Sequence, residues 1–131
     1  MAAHADSTFT VKSWDENTYQ ELDGGKLTRA SIVQDFDGDL VASGAAELLM
    51  CYAADGTASI VGFQRFTGQL AGRDGSFVLR SVGGYDGALA TATLEVVAGS
   101  GTGELAGLTG TGSSAVGKEP PGTLHLDYDL G

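Results

Sequence analysis

Two charged side chains lie within apolar stretches of this sequence, where a charge calls for an explanation. Glu47 is the only charged residue in a long apolar run, and Arg65 lies between aromatic residues. A carboxylate enclosed by a fold has a raised pKa and could act as a general acid or base. An arginine beside it could pair with the carboxylate or hold an acidic group of a ligand. We therefore predict Glu47 and Arg65 as catalytic residues, against the alternative that both lie at the rim or on the outer surface.

Four aromatic residues and one amide are candidates for contact with a ligand. Successive side chains of a strand point to opposite faces, so Phe63 shares a face with Arg65 and lies opposite Gln64. Trp14 ends an alternating run beside two acidic residues, where it could instead plug one end of the fold. Gln64 could orient a ligand by hydrogen bonds but cannot transfer a proton near neutral pH. The predicted ligand-binding residues are Trp14, Tyr52, Phe63, Gln64 and Phe77.

Metal ligands and nucleophiles are sparse. His4 and His125 lack the spacing and the neighbouring ligands typical of a zinc site. His125 falls on the polar side of an alternating run and is predicted at the surface. Cys51 is a lone thiol in an apolar run, which predicts a small buried side chain, since a nucleophile would need a nearby base. These residues therefore predict no metal site.

Two short motifs resemble cofactor loops but lack essential parts. The acidic segment 35–39 begins like a calcium loop, yet its glycine is fourth rather than sixth, and the twelfth position is Ala46 rather than glutamate. The segment 101–106 resembles a dinucleotide-binding fingerprint but has no strand–helix unit around it. We therefore predict no bound cofactor.

Length and charge limit the class of protein. The 131 residues fit one domain spanning residues 1–131. The formal net charge of −10 argues against nucleic acid and anionic membrane surfaces as partners. Residues 1–9 lack the basic and apolar segments of a signal peptide, and no run of about 18 apolar residues could span a membrane. These features predict a cytoplasmic location.

The elements that must position the candidate residues are short strands. Runs of alternating residues are separated by pairs such as Asp37-Gly38, Asp55-Gly56, Asp74-Gly75 and Asp86-Gly87. Asp-Gly suits tight hairpins because both residues tolerate the positive φ that these turns require. Hairpins in series predict an all-β fold, an eight-stranded antiparallel β-barrel, with a two-sheet sandwich as the alternative. The predicted strands cover residues 8–14, 26–36, 39–52, 58–70, 76–85, 88–98, 108–116 and 123–130.

Four motifs in order along the chain resemble one known family. They are Trp14-Asp15-Glu16 and the segments 62–68, 72–79 and 99–108. Together they resemble the bacterial domain-of-unknown-function family 3224, which is similar to the allene oxide cyclase barrels. The resemblance covers nearly the whole chain and implies an eight-stranded antiparallel barrel, often oligomeric. In the wider superfamily it implies enzymes that bind apolar, reactive substrates inside the barrel and act by shaping them and excluding water.

The chain departs from the resembled family at two positions. The family commonly shows G-F/L-E-R-F and F-V-L-Q-H, whereas this chain has Gln64 in place of the acid and Ser81 in place of the histidine. The resemblance therefore implies that an acid and a histidine, which could form an acid/base pair, are missing here. This weakens the case for catalysis but leaves binding open.

Three functions remain open. The first is a cofactor-independent barrel that binds a small, mostly apolar molecule and could guide a cyclisation or isomerisation. The second is a filled barrel that serves as an interaction or structural module, with the apolar run from Leu48 to Tyr52 covered in a homodimer. The third is a hydrolase or other acid/base enzyme that uses Glu47. Whether eight strands enclose a pocket or a packed core decides between the first two.

Overall fold

The computed structural model describes residues 3–119 and 121–130. Within these ranges the chain forms strands and turns, and no helix is long and apolar enough to cross a membrane. Residues alternate along the strands because one face of each strand packs inward and the other meets solvent. The strands are β1 (Ala3–Leu22), β2 (Gly25–Gly38), β3 (Leu40–Tyr52), β4 (Ala58–Leu70), β5 (Arg73–Tyr85), β6 (Ala90–Val96), β7 (Thr102–Gly103), β8 (Thr109–Val116) and β9 (Gly122–Asp129).

Eight of these strands close into an antiparallel barrel. Strands β1 to β6 each pair with their neighbour in sequence, β6 pairs with β8, and β8 pairs with β9. The barrel closes where β9 pairs with β1, from Ala3 opposite Tyr128 to Phe9 opposite Gly122. The short strand β7 pairs with β5 beyond the end of β6. The predicted eight-stranded antiparallel barrel is confirmed. Because β9 pairs with β1 only as far as Phe9, the edge of β1 from Thr10 to Leu22 has β2 on one side and no described strand on the other.

Glycines with positive φ turn the chain where Asp-Gly pairs predicted hairpins, with one exception. Gly38 and Gly56 have φ of 113° and 88° in their turns. The pair Asp74-Gly75, by contrast, lies inside β5, and the turn comes earlier, at Ala71 (φ 50°) and Gly72 (φ 81°). Gly75 meets a different need, because a Cβ there would lie 2.2 Å from the carbonyl oxygen of Thr102 in β7.

A β-bulge in β1 reverses which side chains point inward. Val11 pairs with Gln34 and Ser13 pairs with Val33, so β1 has one residue more than β2 at this point. Phe9 is buried before the bulge, whereas Trp14, five residues later, lines the interior after it. Strand β1 is also longer than predicted and extends to Leu22, where it forms a hairpin with β2.

One half of the barrel, here called the packed half, is filled by apolar side chains. Phe9, Phe36, Phe66 and Phe77 follow one another across it, with ring centroids 5.0, 4.9 and 5.0 Å apart. Such spacing adds about 0.5–1.5 kcal/mol per aromatic pair to the stability gained from burial. The remaining buried apolar residues of this cluster are Ala5, Leu40, Leu70, Leu79, Leu94, Val96, Leu105, Leu108, Leu124, Leu126 and Tyr128.

The other half, here called the open half, has smaller inward side chains. Its buried cluster consists of Ala30, Ile32, Ala46 and Met50, with Leu48, Tyr52 and Ile60 packed against it. These side chains leave an unfilled space between them. The protein therefore has a solid core at one end of the barrel and a cavity at the other.

Candidate functional site: a cavity in the open half

The open half contains a cavity of about 110 Å³. A single water needs about 10–15 Å³ of such space, so the cavity can hold several waters or one small organic molecule. Phe9 and Phe36 of the packed half contribute to its wall, and Trp14, half exposed, lies at its mouth. The other apolar lining residues are Ile32, Ala46, Leu48, Met50, Ile60, Ala90, Ala92, Leu94, Val116 and Leu124, and the polar ones are Gln34, Gln64, Ser81, Thr91 and Ser114.

Two glutamines form the main polar feature of the cavity wall. Nε2 of Gln64 donates a hydrogen bond to Oε1 of Gln34. Each amide has one NH₂ group and one carbonyl, so this bond leaves the NH₂ group of Gln34 and the carbonyl of Gln64 without a partner among the residues described. If both side-chain amides are rotated by 180°, Gln34 becomes the donor and Gln64 the acceptor, and one NH₂ group and one carbonyl are again left without a partner. Gly44 makes room for this pair, since a Cβ there would lie 2.7 Å from Nε2 of Gln64 and 2.8 Å from Cε1 of Phe36.

Glu16 fixes the side chains at the mouth of the cavity. Its Oε1 accepts a hydrogen bond from Nε1 of Trp14 at 2.9 Å. Its Oε2 accepts one from Oγ1 of Thr28 at 2.7 Å and one from the hydroxyl of Tyr52 at 2.8 Å. Glu16 therefore holds Trp14 in place beside the opening.

The same contacts set the pKa values of two groups at the mouth. Partial burial by itself would raise the pKa of Glu16, but the hydrogen bonds from Thr28, Tyr52 and Trp14 outweigh it and lower that pKa. Burial, together with the hydrogen bond to Glu16, raises the pKa of Tyr52 to about 12. At neutral pH Glu16 is thus an ionised acceptor and Tyr52 a protonated donor.

Of the side chains predicted to bind a ligand, two line the cavity, Trp14 and Gln64. Tyr52 is not among the lining residues; it packs against the buried cluster of the open half and donates its hydroxyl to Glu16 beside the mouth. Phe77 points inward but belongs to the packed half, stacked on Phe66. Phe63 lies on the outer face and is 54% exposed, because its neighbour Gln64 takes the inward direction.

Glu47 and Arg65 also lie on the outer face of the barrel, so the barrel wall separates both of them from the cavity. Glu47 accepts hydrogen bonds from Oγ of Ser31 and from Nη2 of Arg29, the latter at 3.2 Å. These bonds lower the pKa of Glu47, the reverse of the shift that enclosure inside the barrel would cause. Arg65 is exposed, and its Nη2 lies 3.5 Å from Oγ of Ser76. Glu47 and Arg65 therefore make separate contacts on the outer face and do not pair with each other.

The prediction that Cys51 is buried is also wrong, because Cys51 lies on the outer face of its strand. It was expected to be buried, but it follows Met50 on the outward face of β3 and is exposed. A run of apolar residues had suggested burial on both faces, whereas only the face of Met50 points inward.

A family model described as "Protein of unknown function (DUF3224)" matches residues 5–128. The chain belongs to the DUF3224 family. A crystal structure of a DUF3224 protein of unknown function from Shewanella oneidensis MR-1 has 31% sequence identity and a TM-score of 0.84, covering 100% of this chain and 99% of the other. No curated protein matches the chain.

The two departures from the family pattern fall inside this DUF3224 barrel. Gln64 and Ser81 both line the cavity, on the adjacent strands β4 and β5. None of the described residues that line the cavity has an ionisable side chain. The chemistry available at the wall of this cavity is hydrogen bonding and apolar contact, without proton transfer near neutral pH.

Two important residues of the site, Gln34 and Glu16, were not predicted from the sequence. Gln34 lies between the inward residues Ile32 and Phe36, so its alternation with apolar residues on β2 was a usable signal. Glu16 had no such signal, because the bulge after Val11 changes the inward set and nothing in the residue types places that bulge.

Proposed function

We propose that this DUF3224 protein binds a small, neutral and mostly apolar molecule in the open half of its barrel. The observation that carries the proposal is a largely apolar cavity into which the pair Gln34 and Gln64 offers one hydrogen-bond donor and one acceptor. Ligand sites commonly combine apolar walls with a few polar groups that set orientation. A ligand with an amide-like edge, one carbonyl beside one N–H, would satisfy both glutamines.

The charges of the protein support a neutral ligand. The formal net charge of −10 repels anions, and the described residues of the cavity wall include no cationic side chain to bind one. A cation would lack a carboxylate partner at the cavity wall and would lose its hydration there. Neutral ligands avoid both costs.

A guided cyclisation or isomerisation is a narrower form of this proposal. The resemblance to the allene oxide cyclase barrels supports it, since that chemistry depends on shaping an apolar substrate and excluding water. Such a reaction would need no proton transfer from the wall, where the described lining residues carry no ionisable group. Binding is the part of the proposal that the side chains themselves favour.

Filling the cavity should weaken binding of a small aromatic amide. Ala46 is 5% exposed and lines the cavity, whereas Ala45 is exposed on the outer face of the same strand. We expect Ala46→Leu to weaken binding of benzamide at least about tenfold, because the larger side chain occupies the ligand's volume. Ala45→Leu makes the same change outside and should bind as the wild type does. Ligand-detected NMR titration gives both affinities, and equal affinities for the two variants would disprove a site in the cavity.

A second variant separates the polar from the apolar contribution. Gln64→Leu keeps much of the side-chain volume but removes one partner of the glutamine pair. Benzamide should then bind at least about tenfold more weakly, whereas toluene, which makes no hydrogen bonds, should bind no worse. If both probes weaken equally, the change has altered the shape of the cavity rather than its hydrogen bonding.

Self-association through the outer face is a second candidate role. Leu49, Val61 and Val82 lie side by side on β3, β4 and β5 and are 47–53% exposed, with Phe63 beside them. Ion pairs flank this patch on both sides, Arg29 with Glu47 and Arg80 with Glu95. A two-fold axis along β4 would place Glu47 of one copy opposite Arg80 of the other, since these residues lie on either side of Phe63, and opposite charges favour association.

Light scattering after size exclusion tests the homodimer. We expect twice the monomer mass for the wild type and the monomer mass for Val61→Glu, which places a charge within the apolar patch. Val41→Glu is the matched control, because Val41 is equally exposed on the outer face of β3 but lies far from the patch, opposite Gln69. A wild type that stays monomeric at high protein concentration rules the homodimer out.

A further inference from the structure

Two histidines and two aspartates meet on the outer surface where the barrel closes. The sequence His4-Ala5-Asp6 in β1 runs antiparallel to His125-Leu126-Asp127 in β9, so His4 lies opposite Asp127 and Asp6 lies opposite His125. Ala5 and Leu126 point into the core, which leaves all four polar side chains on one face. The two His-X-Asp segments, far apart in sequence, thus form one cluster.

The atoms of this cluster lie within the range of a single metal ion. His4, Asp6 and His125 each offer one ligand atom, and these atoms lie within 4.8 Å of one another. Nε2 of His4 is 2.8 Å from Oδ1 of Asp6, which is also hydrogen-bonded to Nδ1 of His125. Ligand atoms around a tetrahedral zinc ion lie about 3.4 Å apart, from bonds of about 2.0–2.2 Å. Small side-chain rotations would therefore bring the three atoms to that geometry.

Asp127 gives an independent indication of the same role. Its Oδ1 lies 2.7 Å from Nδ1 of His4, on the side of the ring away from Asp6. A histidine that binds a metal almost always donates its other ring N–H to a carboxylate, which sets the tautomer and the ring orientation. Asp127 and His4 are already in this arrangement, with Nε2 directed toward Asp6 and His125.

We propose that His4, Asp6 and His125 bind a divalent transition metal ion of the zinc class, with Asp127 holding His4 in the ligating orientation. Two imidazoles and one carboxylate suit Zn²⁺, Co²⁺ or Ni²⁺ better than Mg²⁺ or Ca²⁺, which prefer oxygen ligands. All four side chains are more than half exposed, so the site is open to solvent and a water molecule can complete the coordination. The ion would link β1 to β9 and so fasten the barrel at its closure.

Thermal unfolding with ZnCl₂ tests the site on the whole protein. With Zn²⁺ about 100-fold above its dissociation constant, the midpoint of unfolding should rise by at least about 5 °C, because the ion binds only the closed barrel. EDTA should reverse the rise, and MgCl₂ at the same concentration should not produce it. No rise with Zn²⁺ would overturn the proposal.

Variants separate this site from diffuse binding to an acidic protein. His125→Ala removes a ligand at an exposed position and should abolish the zinc-dependent rise, with an unchanged circular dichroism spectrum showing that the barrel still forms. Asp127→Ala should weaken Zn²⁺ binding about 10–100-fold in isothermal titration calorimetry. Asp35→Ala is the control for Asp127→Ala. It also removes one exposed carboxylate, but from β2, outside the cluster, and should bind Zn²⁺ as the wild type does. An equal zinc-dependent rise in the wild type and His125→Ala would show diffuse binding and refute the site.

Discussion

Replacing Phe66 by alanine is expected to lower the free energy of unfolding by about 3–5 kcal/mol. Phe66 is fully buried and lies in the middle of the row of four phenylalanines that fills the packed half. The change removes the burial of a whole ring and two aromatic contacts, to Phe36 and Phe77, and it leaves a cavity that rigid strands cannot collapse around. Urea unfolding followed by circular dichroism measures the loss.

Phe63→Ala is the matched control for that variant. Phe63 lies on the same strand, three residues earlier, but points outward and is 54% exposed. Its removal should cost about 1 kcal/mol or less in dilute protein, since little apolar area is lost from the interior. A cost as large as that of Phe66→Ala in dilute protein would contradict the assignment of inward and outward faces on β4.

Replacing Glu16 by alanine should cost about 1–3 kcal/mol of unfolding free energy. The loss comes less from the carboxylate itself than from the donors it leaves behind. The hydroxyl of Thr28, a residue that is 1% exposed, would lose its acceptor in a place where water has little access. Trp14 and Tyr52 would also lose their bonds to Glu16, so the indole should become more mobile at the mouth of the cavity. Urea unfolding gives the energy, and Trp14 fluorescence, from the single tryptophan, reports the mobility.

Glu47→Ala provides the comparison for Glu16→Ala. Glu47 accepts two side-chain hydrogen bonds, against three at Glu16, and its donors, Ser31 and Arg29, are exposed and can bond to water instead. We therefore expect a clearly smaller loss of stability than for Glu16→Ala and no change in Trp14 fluorescence. Equal losses would contradict the view that the burial of the donors sets the cost.

The strands were predictable because their signals are local. Alternation and the positive φ of Asp-Gly turns depend on adjacent residues, so β4 (Ala58–Leu70) was predicted at its observed ends. The misplaced turn at Asp74-Gly75 shows the limit of this reasoning. Gly75 is needed for the close approach of β7, a contact between segments that are distant in sequence.

The site was less predictable, because inward and outward faces depend on registers that no single strand reveals. Gln64 was correctly placed opposite Phe63, but which of the two faces the interior follows only from the packing of β4 with β3 and β5. Phe63 and Arg65 are aromatic and charged and were therefore predicted as site residues, whereas the polar part of the wall is made of glutamine, serine and threonine side chains. The bulge in β1 similarly decides that Trp14 and Glu16 lie at the mouth.

The pairing of β9 with β1 governs how this chain reaches its fold. Asp6 and His125 are separated by 119 residues, so the edge of β1 stays unpaired until the last strand forms. Folding slows as contacts join residues farther apart in sequence. During that interval the free edges of β1 and β8 can pair with other chains, because unpaired strand edges are where partly folded proteins associate. The closing step is therefore the stage of synthesis and refolding at which this barrel is most exposed to aggregation and most dependent on chaperones.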